Sequence, residues 1–196
     1  MDSYDNLPDA EISPVGEMSE RFLELNISSF KQAALYVHKM DYGYNSNRDK
    51  MILFEEGYGS CTTKHGVIAT LASELGIPLY KKVCVYKFTE EITTGVDKIL
   101  KKYEVPYVPM IHCFMVYDEY QFDLTEGNNN GKKKPIDEYI HAEKVEPFIS
   151  DKDEYQLFRK ILRENILPSE EMKGISERYL LKAREEAIIL LKESIK

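Results

Sequence analysis

A chain of 196 residues, 43% of them apolar, is long enough for one well-cored domain, and no Pro/Gly/Ser-rich linker divides it. Its 34 acidic residues against 26 Lys and Arg leave a net charge of -8, which argues against broad contact with nucleic acid or anionic membrane, because phosphate binding draws on clustered basic residues. No stretch approaches the ~20 apolar residues of a membrane span, Met1-Asp2-Ser3-Tyr4-Asp5 lacks the basic and apolar regions of a signal peptide, and three cysteines without framework spacing fit free thiols in a reducing, cytoplasmic setting.

Residues 1–18 are polar and carry Pro8, Pro14 and Gly16, the composition of an extended tail or a wrapping segment. One helix is expected to follow, capped by Ser19, with Phe22, Leu23, Phe30, Ala33, Ala34 and Val37 among its apolar residues and the polar loop Asp41 to Asn47 at its end. A second helix opens at Cys61, where Val67, Ile68, Leu71, Ala72 and Leu75 recur at helical spacing and Gly76-Ile77-Pro78 supplies a stop. Leu79 to Phe88, rich in Val, Tyr and Phe, reads as a strand, and Val96 to Tyr103 as a short helix.

Ile111 to Tyr117 and Tyr120 to Leu124 read as two strands joined at Asp118-Glu119, and Lys144 to Ile149 as an added edge strand. Between them, Gly127-Asn128-Asn129-Asn130-Gly131 and the basic run Lys132-Lys133-Lys134 read as an exposed mobile loop with solvated charges. The tail is expected to be helical, first Asp151 to Glu164 and then, after Pro168, a long amphipathic helix from Ser169 towards Ile195.

The chemistry centres on Gly59-Ser60-Cys61. A helix N-terminus carries a partial positive charge and unpaired N–H groups, which lower a thiol's pKa and leave donors for an oxyanion. Cysteine is also a common core residue, so the reading depends on partners: a base for the thiol proton and an orienting group for the base. His38, near a helix end, and His141, in a polar stretch, suit structural or solvated roles, which leaves His65 and His112. His112, Phe114 and Val116 share one face of their strand, and a two-residue turn pairs Phe114 with Asp123. Asp123 then sits diagonally from His112 on the same face, at the ~7 to 8 Å of diagonal strand neighbours. A three-residue loop would reverse that parity. Cys61 and His65, four apart on one helix face, have a spacing that can hold a metal, but neither Cys84 nor Cys113 completes a zinc set, and no metal or cofactor is expected.

The order of a helix-start cysteine, a strand histidine and an aspartate on the next strand resembles the transglutaminase-like superfamily of papain-like folds. The residues that carry the resemblance are Gly59-Ser60-Cys61, the helix continuing through Lys64-His65-Gly66-Val67 to Gly76-Ile77-Pro78, His112-Cys113-Phe114-Met115-Val116-Tyr117, and Phe122-Asp123-Leu124-Thr125. It covers about residues 45–125 and implies an α+β fold, a nucleophile helix packed on an antiparallel sheet, with N-terminal and C-terminal helices added. It implies Cys61 as nucleophile, His112 as general base and Asp123 as orienter. Relatives often place a tryptophan beside the oxyanion, and this chain has no Trp. Asn45, Asn47 and Tyr58 are the candidates for a second donor beside the Cys61 N–H, and Arg48 for a substrate carboxylate, each also explicable as turn or surface chemistry.

Transglutaminases, proteases and peptide N-glycanases of that superfamily all act by acyl transfer at an amide. The expectation is a cysteine enzyme, foremost a hydrolase, acting on a peptide, protein or small amide. The rival expectation is an inactive fold of the same kind serving as a binding or scaffolding module. The oligomeric state is left open.

Overall fold

In the computed structural model, which describes residues 1–195, a break over residues 25–29 splits the first expected helix in two. Helix α1 spans Glu17–Glu24 and α2 spans Phe30–Lys39. Asn26 takes a left-handed φ of 58°, and the Ser29 side chain accepts from the Gln32 N–H to start α2 afresh. Ser19 is inside α1 rather than before it, its hydroxyl oxygen accepting from the Val15 and Gly16 N–H groups.

The elements that follow are β1 (Asp41–Tyr42), α3 (Ile52–Glu56), β2 (Tyr58–Gly59), α4 (Cys61–Glu74), β3 (Leu79–Phe88), α5 (Val96–Tyr103), β4 (Val108–Tyr117), β5 (Tyr120–Phe122), β6 (His141–Lys144), α6 (Asp151–Ile161) and α7 (Glu177–Glu193). The fold is therefore mixed α+β. Strands β1 and β2 form a small parallel pair, and the main sheet has the order β5-β4-β3-β6. Strands β4 and β5 are antiparallel with Met115 opposite Phe122 and Tyr117 opposite Tyr120. The two-residue turn is thus the expected one, with Asp118 in the left-handed region at φ 49°. The edge strand comes earlier than expected, at His141–Lys144, since Pro147 has no N–H to donate to a ladder.

Two compact units emerge. The first comprises 1–83, 113–128 and 144–149, and the second 84–112, 129–143 and 150–196. Helix α4 is the first unit's centre: every residue from Thr62 to Ala69 is buried, so it has no solvated face over that span. Its Val67, Ile68, Leu71 and Ala72 join Phe22, Phe30, Leu53 and Phe122 in one apolar cluster. The N-terminal segment wraps, as one of the two expectations had it: Leu7 and Ile12 enter the same cluster, and Asp2 exchanges two hydrogen bonds with Gln121 of β5, at 2.8 and 2.7 Å.

In the second unit α6 runs on as a π-helical turn over Leu162–Ile166. Helix α7 starts at Glu177, not Ser169, because Gly174 turns left-handed at φ 83° and Ser176 supplies the cap to the Tyr179 N–H. Segment 130–133 is not a loose loop. Thr93 donates to the Gly131 carbonyl at 2.9 Å, the Lys132 N–H donates to Asn130 Oδ1 at 3.0 Å, and the Lys133 N–H donates to the Ile92 carbonyl at 2.7 Å. No helix among the described residues is long and apolar enough to cross a membrane.

Candidate active site

Strand β2 delivers the chain to α4 through a tight approach. A Cβ on Gly59 would meet Leu53 Cδ1 at 2.5 Å and Thr63 Oγ1 at 3.0 Å, so a larger residue here would have to displace the side chains that pack beneath Ser60 and Cys61. Ser60, in extended conformation, is the N-cap residue, yet its hydroxyl turns to Thr63 Oγ1 at 3.2 Å and makes no cap bond to the backbone. The first turn of α4 thus keeps its N–H groups clear of a side-chain cap from Ser60, as an oxyanion-binding helix start requires. Cys61 is partly exposed, whereas Cys84 and Cys113 are buried.

Asn45 is the hub that sets this geometry. Its Oδ1 accepts from Thr63 Oγ1 at 2.6 Å and from the Ser60 N–H at 3.4 Å, while Nδ2 donates to Glu56 at 2.9 Å and to the Tyr58 carbonyl at 2.8 Å. Both amide hydrogens are therefore engaged in holding β2 and α4 together. The hydrogen bonds from Ser46 and Asn45 keep the Glu56 carboxyl below its usual range. Tyr58 is half-buried, its phenol pushed up by burial and then by Glu56. Asn47 Oδ1 accepts from the Asp49 N–H at 2.7 Å, a local Asx turn, and the Arg48 guanidinium donates to the Ile149 carbonyl at 2.8 Å.

His65 is fully buried one turn below Cys61. The Leu124 N–H reaches its Nε2 at 2.8 Å, and since a backbone amide only donates, Nε2 is the acceptor and the ring proton sits on Nδ1. Nδ1 then donates to the Cys61 carbonyl at 2.7 Å. Asp123 Oδ1 lies 3.5 Å from Nε2 but faces a lone pair, so this is no ion pair. Asp123 is almost fully buried, and the same oxygen accepts from the Thr125 N–H at 2.8 Å and from Thr125 Oγ1 at 2.7 Å. His65 therefore ties the carbonyl of the candidate nucleophile to the residue after the candidate orienting carboxylate.

Two buried lysines, one in the first turn of α4 and one on β3, brace that turn. Lys64 Nζ donates to the His38 carbonyl at 3.1 Å and the Met40 carbonyl at 2.5 Å, both of which also accept from Asn128. Burial lowers its pKa to about 8, against the opposing pull of Asp123 and Asp41. Lys81 Nζ donates to the carbonyls of Thr62 at 3.1 Å and Pro147 at 2.8 Å.

His112 belongs to the second unit, whose border crosses β4 between His112 and Cys113. It is fully buried, with the Tyr86 ring edge-on at a centroid distance of 6.3 Å and Lys132 Nζ 3.4 Å from its Nδ1. Cys61 and Asp123 belong to the first unit, along with Asn45, Asn47, Arg48, Tyr58 and His65.

Sequence reasoning passed over Lys64, Lys81, Lys132 and Tyr4. A signal existed for Lys64: α4 is apolar on more than one face after Cys61, so a charge in its first turn has no solvated side to occupy. Lys81 gave a weaker one, lying between buried positions of a strand otherwise rich in Val and Tyr. Among the described residues, no three His, Cys, Asp or Glu side chains are grouped as metal ligands would be. No protein-family model, no curated protein and no solved structure matches this chain.

Proposed function

We propose that this chain is a cysteine-dependent enzyme of transglutaminase-like type, acting by acyl transfer at an amide or peptide carbonyl and foremost as a hydrolase. The observation that carries the reading is the contrast among the thiols: Cys61 alone is partly exposed, and it opens a buried helix whose N-cap side chain does not cap the backbone. A thiol there is activated by the helix terminus.

In the proposed reaction the Cys61 thiol gives its proton to His112 and the sulfur adds to the substrate carbonyl carbon. The Cys61 N–H meets the oxyanion. As the C–N bond breaks, the imidazolium returns that proton to the leaving amine. Water then loses a proton to His112 and attacks the thioester, releasing the acid and restoring the thiol. Asp123 holds the imidazole, a role suited to a buried carboxylate already braced by Thr125. The proposed substrate is a peptide, protein or small amide, and three cysteines without framework spacing suit a reducing, cytoplasmic location.

The rival reading, a papain-like fold kept as a binding module, is favoured by the complete burial of His112. The pH dependence of Cys61 alkylation by iodoacetamide, read by peptide mass spectrometry, separates the two. Fast labelling that persists well below the free-thiol pKa of ~8.5 and weakens in His112→Ala supports the enzyme. An ordinary profile unchanged by the substitution supports the module.

A further inference from the structure

We propose that the cavity of the second unit docks an extended peptide segment that carries lysine or arginine. The cavity holds about 760 Å³, within the range of ligand sites, and every residue lining it belongs to that unit. The proposal stands apart from the role given to Cys61, which lies in the first unit.

The floor is apolar and aromatic. Tyr86, Ile92, Tyr107 and Ile136 line it and are all buried, supplied by β3, the turn after it, the approach to β4 and the stretch before β6. The charge around that floor is strongly negative, with six carboxylates against two lysines. Both lysines are already matched: Lys87 Nζ donates to the Glu171 carboxylate at 2.6 and 2.8 Å, and Lys134 Nζ to Glu91 at 2.8 Å. Glu90 is committed as well, since it accepts from the Gly95 N–H at 2.9 Å and the Asp97 N–H at 3.0 Å and so closes the start of α5. Asp97, Asp137 and Glu138 remain, all exposed, with no side-chain partner among the described residues. Glu91 first, and then Glu138 and Asp137, hold the Lys134 ammonium above its ordinary range, so the negative potential reaches across this rim.

A complementary ligand is therefore cationic. Among the described residues no three His, Cys, Asp or Glu side chains are grouped as metal ligands would be, so the charge is spread too widely for a metal ion and suits an organic cation. Lys87 shows how an ammonium is received here, 4.8 Å from the centroid of the Tyr107 ring with Glu171 as its counter-ion. The stretch 134–139 favours a peptide over a single amine. It is held at its ends, the Lys133 N–H donating to the Ile92 carbonyl at 2.7 Å and the Ile140 N–H to the Val85 carbonyl at 2.8 Å, and between them it runs outside any helix or strand. A backbone that belongs to no ladder can pair with a second extended chain. Exposed carboxylates are individually weak in water, so affinity needs several engaged at once, which a basic segment provides and one ammonium does not.

The test follows the fluorescence anisotropy of a labelled octapeptide of alternating lysine and valine, capped at both ends, titrated with the full chain at low salt. Saturable one-to-one binding is expected, weakened by added salt and at least about tenfold weaker when glutamate replaces lysine in the peptide. Asp137→Asn combined with Glu138→Gln is expected to weaken binding about fivefold and Asp97→Asn about threefold. Asp9→Asn combined with Glu20→Gln, which removes the same charge from the first unit, is expected to bind as the native chain does. All five carboxylates are exposed, so the variants are expected to keep the native unfolding midpoint. Absence of binding overturns the proposal, and so does equal weakening by the Asp9 and Glu20 substitutions, which would reduce the effect to diffuse attraction by an acidic chain. Displacement of the peptide by an equal concentration of n-butylamine overturns it too, giving the cavity to a small amine.

Discussion

The Tyr4 hydroxyl donates to the backbone carbonyl of Asp123 at 2.6 Å and lies 3.2 Å from His38 Nδ1. The fourth residue of the chain is thereby tied to the main chain of the candidate orienter. Burial, and then the charges of Asp123 and Glu126, push its phenol pKa far up, so it remains a donor. Tyr4→Phe keeps the ring packing against Phe122 but removes the shorter of two bonds to the Asp123 carbonyl, which also accepts from the Glu126 N–H at 3.3 Å. A loss of about 1 kcal/mol in urea unfolding is expected, with faster amide exchange at Gln121, which the same N-terminal segment covers.

Asp123 separates structure from chemistry through one pair of substitutions. Asp123→Asn keeps Oδ1 as acceptor for the Thr125 N–H and hydroxyl, whereas Asp123→Ala removes the acceptor from a buried turn. Asp123→Ala is expected to cost about 2 to 3 kcal/mol and Asp123→Asn clearly less. Both are expected to raise the apparent pKa of Cys61 alkylation if the carboxylate's charge serves the histidine.

Asn45 makes a third case. Truncation to alanine leaves Glu56, the Tyr58 carbonyl and Thr63 Oγ1 without the amide that joins them. Asn45→Ala is expected to lose about 2 kcal/mol by thermal or urea unfolding and to slow Cys61 alkylation, since Ser60 is held by the same side chain. Cys61→Ala, by contrast, is expected to unfold within about 0.5 kcal/mol of the native protein while abolishing the fast-labelling site.

Lys64 sets a pH dependence of definite sign. Burial penalises its ammonium, so the folded-state pKa of about 8 lies below the ordinary 10.5. Between those values the unfolded chain holds a proton that the folded chain has released, and stability rises with pH, with a slope approaching about one proton. Below about pH 8 this group adds no slope. Tyr4 acts in the opposite sense above its ordinary value of 10.0, because the unfolded phenol ionises first. Urea unfolding at steps from about pH 7 to 11 is expected to show the rise in the native protein. Lys64→Met should lose it while Asn128 continues to serve both carbonyls of the α2 terminus.

What could be read from the sequence follows the range of the interactions. The start of α4 and the β4–β5 register were legible because a Gly-Ser-Cys turn and a two-residue hairpin fix their neighbours within a few bonds. The break at Asn26 and the late start of α7 turn on single residues in the left-handed region, which an apolar pattern carries straight through. Lys132 was hidden for a third reason. Its segment looks like a solvated loop by composition, and the partners that fix it, Ile92 and Thr93, are some forty positions away.

The partition of the chain has a bearing on its birth. The first unit is gathered from 1–83, 113–128 and 144–149, so during synthesis its helices emerge well before β5 and the segment that carries Pro147. Lys81 then waits for one of its two carbonyl partners until residue 147 has been made, and Gly66, where a Cβ would lie 2.8 Å from that same carbonyl oxygen, waits for its packing neighbour. The nascent chain must keep one side of a central helix, buried throughout from Thr62 to Ala69 in the finished fold, without its late neighbours over that interval, several seconds at about 5–20 residues per second. A ribosome pause between residues 83 and 144 would therefore expose α4 to chaperones longest, at the helix that bears Cys61.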